Sequence, residues 1–341
     1  MNLQERIDLL VKLGQYLSGT GPKWMEAKEN AERENGWFTQ AFIDTAIQNI
    51  VTNFLHPDKL KNFISRYHLD GRPAFPKNIG LVMAGNIPLV GFHDWLCVFL
   101  SGHSVRVKPS SKDRVLIAHI IDTLAGWDNR ISEQTRFSDM LKGCDSYIAT
   151  GSNNTSRYFD YYFSKYPHII RRNRTSVALL TGHESAAELE RLSDDINLYY
   201  GLGCRNVTKL YVPRQYDFIP LLAAFKKYSG FADHNKYKNN YDYQLAVLLL
   251  NNKPYMTNGA LLLVENEAFF SAISQLHYGF YTGQPAEITA ALQNNPDIQC
   301  VIGRGHTAFG QAQYPHLEDF ADGVDTMQFL TTGLEDRVGA R

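Results

Sequence analysis

Cys204 lies in the run Gly201-Leu202-Gly203-Cys204-Arg205. A cysteine acts as a nucleophile through its thiolate; flanking glycines leave the sulfur accessible and Arg205 adds a positive charge beside it, and both favour that form. The competing reading of any free cysteine is a small buried hydrophobe. Cys97, Cys144 and Cys300, in apolar helix or strand contexts or just before one, read that way. Three further polar groups follow short apolar runs: Ala84-Gly85-Asn86-Ile87-Pro88-Leu89 after 79–83, Lys108-Pro109-Ser110 after 105–107, and Thr150-Gly151-Ser152 after 147–149. In an open parallel sheet the carboxyl ends of strands face the ligand crevice, so Asn86 and Lys108 can meet one molecule there. The Ser152 turn leads into a predicted helix whose free N–H groups favour an anionic or polar part of a ligand. Each is weak alone; three in this order, followed by Cys204, are much stronger.

Other tempting patterns carry less. His183-Glu184 is not a zinc helix, because the second histidine would fall at Ala187. The Gly201-x-Gly203 run lacks the last glycine of a dinucleotide fingerprint, and Gly303-x-Gly305 is wrongly spaced to Gly310. Arg171-Arg172-Asn173-Arg174 reads as a solvated or coenzyme-facing turn. His277 and His306 are assigned no role.

These residues need a scaffold. The chain has 341 residues, 44% hydrophobic and 20% charged, enough for two domains with sizeable cores. Lys and Arg number 34 against 35 Asp and Glu, so no global field suggests nucleic acid or a charged membrane surface as partner. No apolar run approaches a membrane span and no secretory leader is apparent; four scattered cysteines fit reduced thiols in a cytoplasm rather than a disulfide framework or metal cluster. Helical periodicity dominates the first seventy residues. From about residue 76, apolar runs at 79–83, 105–107, 147–149 and 177–180 alternate with helix-length stretches, which predicts parallel strands with crossovers. After Cys204 a second series, with strands over 210–212, 261–264, 277–281 and 300–302 and helices over 218–228 and 241–250, predicts a second α/β domain. Residues 235–243 read as a polar loop. The join is expected at 182–194, where a helix over 187–197 separates the last strand of the first sheet from the Gly201 turn.

The order Asn-Ile-Pro-Leu, Lys-Pro-Ser, Thr-Gly-Ser, Gly-x-x-Cys resembles the aldehyde dehydrogenase superfamily, and within it the long-chain acyl-CoA reductases typified by the bacterial luminescence system (the LuxC family). The resemblance spans Lys77 to Pro213 by motif, and Phe320-Ala321-Asp322-Gly323-Val324-Asp325-Thr326-Met327-Gln328-Phe329 is also similar to that family. It implies two Rossmann-like open α/β domains with a helical N-terminal segment: a cofactor-binding domain over 1–183, a catalytic domain over 184–325, and a C-terminal tail over 326–341. It makes Cys204 the nucleophile and Asn86 the side-chain donor of an oxyanion hole. Lys108, Pro109 and Ser110 match the segment that contacts the adenosine ribose, and Thr150, Gly151 and Ser152 the turn beside the cofactor phosphates.

The implied activity is NADPH-dependent reduction of a long-chain acyl-CoA to the aldehyde through an acyl-Cys thioester, in the cytoplasm and as a homo-oligomer. NADPH over NADH follows from family analogy, with Arg106 or Lys112 as partner for a 2′-phosphate. Aldehyde-oxidising relatives carry Glu-Leu-Gly-Gly, whose Glu activates water, whereas this chain has Leu180-Thr181-Gly182-His183, which disfavours hydrolysis. No Glu-x-x-Phe-Gly-Pro segment follows the cysteine, and Glu265 and Glu267 are poor matches for it. The rivals are an acylating short-chain or semialdehyde dehydrogenase, a Cys204-dependent acyltransferase, and a non-catalytic acyl- or nucleotide-binding module.

Overall fold

A computed structural model describes residues 1–67, 69, 73, 75–292 and 295–334 of the chain. Contacts divide it into two compact units, one of residues 1–173 and 315–341, the other Arg174–Tyr314.

The first unit opens with helices, as expected. Helix Leu3–Leu17 starts from a capping box, in which Asn2 accepts the Glu5 N–H at 2.9 Å and the Glu5 carboxylate accepts the Asn2 N–H at 2.6 Å. Its face of Ile7, Leu10, Leu13 and Leu17 is buried. The sheet behind it contains β1 (Asn78–Val82), β2 (Ser104–Lys108), β3 (Thr135–Phe137), β4 (Ser146–Thr150) and β5 (His168–Arg171) in the order β3-β2-β1-β4-β5, all pairs parallel. Crossover helix Phe92–Ser101 is buried on almost every side, which fits an apolar helix with no wet face, and ends at Gly102, whose φ of 83° suits a residue without Cβ. The chain order of the strands reverses between β1 and β4. That is the switch point at which open α/β sheets bind ligands.

The second unit holds β6 (Thr175–Leu179), β7 (Val207–Pro213), β8 (Met256–Thr257), β9 (Leu262–Glu265), β10 (Gln275–Tyr281) and β11 (Ile298–Ile302), in the order β11-β6-β7-β10-β9-β8. Only the edge pair β8–β9 is antiparallel. Ala178, Leu180, Leu210, Leu263, Leu276 and Ile302 form its core with helix Ala186–Asn197.

Five expectations need correction. The run 177–180 was assigned to the first sheet, but β6 pairs with β7 and β11, so the crossing comes earlier, at Arg172 to Arg174. Arg171 is not in a solvated turn. It ends β5 and is 2% exposed, with Nη2 bonded to Asp94 Oδ1 at 2.7 Å and to Thr326 Oγ1 at 2.7 Å, and Nη1 bonded to the Ala321 carbonyl. For the same reason residues 315–334 belong with the first unit rather than forming the end of the second domain plus a tail: Met327 and Leu330 are buried in the first core, and Asp325 accepts the Tyr67 hydroxyl at 2.8 Å. Residues 335–341 lie outside the described residues. Finally, 235–243 is helix, the first half of Asn235–Leu250, fastened by His234 as cap, buried Tyr237 and the Lys238–Asp242 ion pair at 2.8 Å. The helix expected over 218–228 shortens to Ile219–Ala224, followed by a 3-10 stretch to Asp233.

Candidate active site

In the first unit the three predicted polar turns all leave the same edge of the sheet. The β1 turn continues the ladder for one more bond, Met83 N–H to the Lys108 carbonyl at 3.0 Å. Gly85 then passes so close to the β2 turn that a Cβ on it would lie 2.6 Å from both Cβ and Oγ of Ser110. Asn86 and Ile87 are half-buried, and Leu89 turns the chain with φ of 56°. On β2, Val105 and Val107 face the core while Arg106 and Lys108 alternate onto the exposed side. Arg106 donates to the Lys142 carbonyl at 3.1 Å, whereas the Lys108 ammonium makes no ion pair or hydrogen bond among the described residues. Ser110 Oγ accepts the Lys112 N–H at 3.2 Å. Beyond β4, Thr150 and Gly151 are half-buried and exposed Ser152 caps helix Asn153–Phe163, accepting the Thr155 N–H at 3.3 Å. A Cβ at Gly151 would lie 2.9 Å from the edge of the Phe159 ring and 3.1 Å from Thr155 Cβ, so a side chain there would have to displace both.

In the second unit Cys204 occupies the turn before β7 and is half-buried. The approach to it is contorted: Tyr199, Tyr200 and Gly201 take φ of 56°, 57° and 74° in succession. For two tyrosines this costs about 1–3 kcal/mol each. Both rings are buried, and Tyr200 packs on Phe231, His234 and Tyr237, which holds the conformation. Fully buried Asn206 fastens the turn from the other side. Its Oδ1 accepts the Gly203 N–H at 2.8 Å, and its amide donates to the carbonyls of Asp195, Ile196 and Leu198 at 3.1, 3.2 and 2.9 Å. Those carbonyls are the acceptors that the end of helix Ala186–Asn197 would otherwise leave orphaned. Under the turn, buried Ser176 donates to the Cys204 carbonyl at 3.1 Å and lies 3.0 Å from Cys300 Sγ. A hydroxyl has one proton, so the Cys300 thiol donates to Ser176 Oγ. Burial pushes the Cys300, Cys97 and Cys144 thiols up, away from nucleophilic character.

No family model matches the chain, and no curated protein matches it. Solved structures do. Aldehyde dehydrogenase 21 from Physcomitrella patens, in complex with succinate, superposes with a TM-score of 0.61 at 14% identity, over 96% of this chain and 79% of that one. The P. syringae indole-3-acetaldehyde dehydrogenase AldA, in complex with NAD+, gives 0.60 at 11%, over 89% and 72%. An NAD-dependent aldehyde dehydrogenase from Burkholderia multivorans gives 0.59 at 12%, over 94% and 74%. The fold is that of an aldehyde dehydrogenase.

Within this aldehyde dehydrogenase fold, Leu180 follows β6 directly and the next carboxylate along the chain is Glu184. Leu180 is fully buried, with its carbonyl accepting the Tyr281 hydroxyl at 2.9 Å. Glu184 folds back on its own turn: Oε1 accepts from Thr181 N–H and Oγ1, both at 2.7 Å, and Oε2 from the Gly182 N–H at 3.0 Å. Glu267 is highly exposed and pairs with buried Lys209 at 3.2 Å. Among the described residues no cluster of three or more His, Cys, Asp or Glu could hold a metal, and no helix is long and apolar enough to cross a membrane. Sequence reasoning missed Asn206, Ser176 and Asp113, whose parts depend on partners distant in the chain. The one local clue was a polar Ser176 inside an apolar strand.

Proposed function

We propose that the chain is a nicotinamide-dependent acyl-CoA reductase of the long-chain type, with Cys204 as nucleophile and Asn86 as oxyanion donor. The observation that carries this reading is the β6 end, where Leu180 and a self-satisfied Glu184 stand in place of a water-activating base. An acyl-Cys thioester formed in such an enzyme is protected from hydrolysis, and coenzyme A needs no activated water to arrive or depart.

The cofactor would be held by Lys108, Pro109 and Ser110 at the end of β2 and by Thr150, Gly151 and Ser152 at the end of β4. The donor set fits a dinucleotide: an uncommitted ammonium, a switch-point crevice between β1 and β4, and a helix N-terminus for a phosphate. NADPH over NADH rests on the family resemblance, and a 2′-phosphate would fall to Lys112, since Arg106 already donates to the Lys142 carbonyl. When bound, the nicotinamide supplies the hydride that takes the thioester to the aldehyde level.

The chain's own residues do the rest. The Cys204 thiolate attacks the acyl carbonyl, the carbonyl π electrons move to oxygen, and the Asn86 amide stabilises that charge, a contribution of about 3–4 kcal/mol for one such donor. Return of the electron pair expels coenzyme A as thiolate and leaves acyl-Cys204. After reduction, the thiohemiacetal collapses by breaking its C–S bond, which releases the aldehyde and restores the thiolate.

A panel of acyl-CoAs of increasing chain length, each with NADPH and NADH, tests this reading. Consumption of NADPH with tetradecanoyl-CoA and release of tetradecanal is expected. Preference for short acyl groups would favour the semialdehyde-type rival. Acylation with no nicotinamide consumption would make it an acyltransferase, and neither would leave a binding module.

A further inference from the structure

Asp113 is 7% exposed in the first unit, at the end of the turn that follows β2. Its N–H closes the turn on the Ser110 carbonyl at 3.1 Å, and its Oδ2 accepts the Leu89 N–H at 2.6 Å. The other oxygen, Oδ1, is buried with no hydrogen-bond partner among the described residues. A buried acceptor left unused is unfavourable, so Oδ1 adds nothing to folding, and the hydrogen bond this side chain makes among the described residues is the one to Leu89. The carboxylate must be explained by what it holds.

It holds one end of the segment that carries Asn86. That segment is tied to the β2 turn at three points: Met83 N–H on the Lys108 carbonyl, Gly85 against Ser110, and Leu89 N–H on Asp113. Asn86 lies between the second and third. Leu89 sits at φ of 56°, a conformation that leucine leaves unless something fixes its backbone, and its N–H is the group that Asp113 grips. The Asp113 Cβ also lies 3.1 Å from where a Gly85 Cβ would be, so one residue touches the loop on both sides of Asn86.

We propose that Asp113 is a positioning residue for Asn86: by accepting the Leu89 N–H it fixes the loop in the conformation that presents the Asn86 amide, and it makes that loop move as one body with the nucleotide turn at Lys108 to Ser110. The inference rests on the reading of Asn86 as the oxyanion donor.

The test uses the full chain and three variants. Asp113→Asn keeps an acceptor oxygen; Asp113→Leu and the smaller Asp113→Ala remove it. Acylation by tetradecanoyl-CoA is followed by intact-protein mass spectrometry over a range of substrate concentrations, with a thermal melt of each variant. Expected, at a temperature well below the melting transition of every variant, is a maximal acylation rate about tenfold or more lower in the Leu and Ala variants, with half-saturation little changed, and near-parent rates in Asp113→Asn. Parent rates in an acceptor-free variant overturn the inference. So does equal impairment of all three variants, or a rate loss that only tracks loss of folding. Absence of any adduct in the parent overturns the function and this inference together; a parent adduct with an indifferent Leu variant overturns the inference alone.

Discussion

Asn206 Oδ1 accepts the Gly203 N–H at 2.8 Å, so the second residue after Cys204 fixes the residue just before it. The sulfur rides on a turn braced by a side chain that also caps a helix. Replacement Asn206→Ala leaves three helix-end carbonyls and the Gly203 N–H without that partner, and a loss of roughly 2–4 kcal/mol is expected. Chemical unfolding measures it. Labelling by iodoacetamide should also spread from Cys204 to Cys300 as the turn loosens; unchanged selectivity would show that Asn206 does not organise the turn.

Cys204→Ser should abolish the acyl adduct while NADPH binding persists, because the turns proposed to hold the cofactor, at 108–110 and 150–152, belong to the other unit. Asn86→Ala should slow acylation about a hundredfold with folding intact. An adduct mapped to another cysteine would remove Cys204 from its role, and unchanged acylation in Asn86→Ala would remove Asn86 from the oxyanion hole.

Asp94 and Arg171 form a buried ion pair. Burial opposes ionisation of Asp94, but the Arg171 charge and its two hydrogen bonds outweigh it and hold the carboxyl below its usual value. Breaking such a pair from one side costs about 3–5 kcal/mol, whereas replacing both partners by apolar residues is often near neutral. Arg171→Met should therefore destabilise the chain strongly and Asp94→Leu with Arg171→Met should recover most of the loss, as read from urea midpoints. Equal damage in the double variant would mean that the links to Ala321 and Thr326 matter more than the charge pair.

Burial pushes Asp113 up to about 7, from an unfolded value near 4. Between these values the folded chain binds the proton more tightly, so this group's contribution is fully present below about pH 4 and is lost as pH rises through 7, by an amount on the order of a few kcal/mol. Asp113→Asn cannot ionise. Its melting temperature relative to the parent should climb steadily from pH 4 to 7.5, and a constant difference across that range would show that Asp113 titrates normally.

The sequence revealed the strands best where apolar runs met polar turns, as at Met83 to Asn86 and Ala149 to Gly151, because burial on both faces writes a continuous pattern. It did not show that β6 belongs to the second sheet, since an apolar strand reads alike in either. Helix Asn235–Leu250 was half hidden because polar pairs and a cap hold its first half, where the pattern shows no apolar stripe. The turn at Cys204 was legible from its glycines. Asn206 and Asp113 were not, because a hydrogen bond to a backbone group 10 or 24 residues away leaves no mark on composition or spacing.

The side chain that ends β5 finds its last two anchors 150 and 155 positions downstream. During synthesis at about 5–20 residues per second, the ribosome delivers the whole second unit before the first can be completed. For some ten to thirty seconds the nascent first unit therefore waits without its closing helix, Thr326–Thr331, while the contiguous second unit is free to mature. Assembly thus runs against the order of translation: the portion made first is the one finished last.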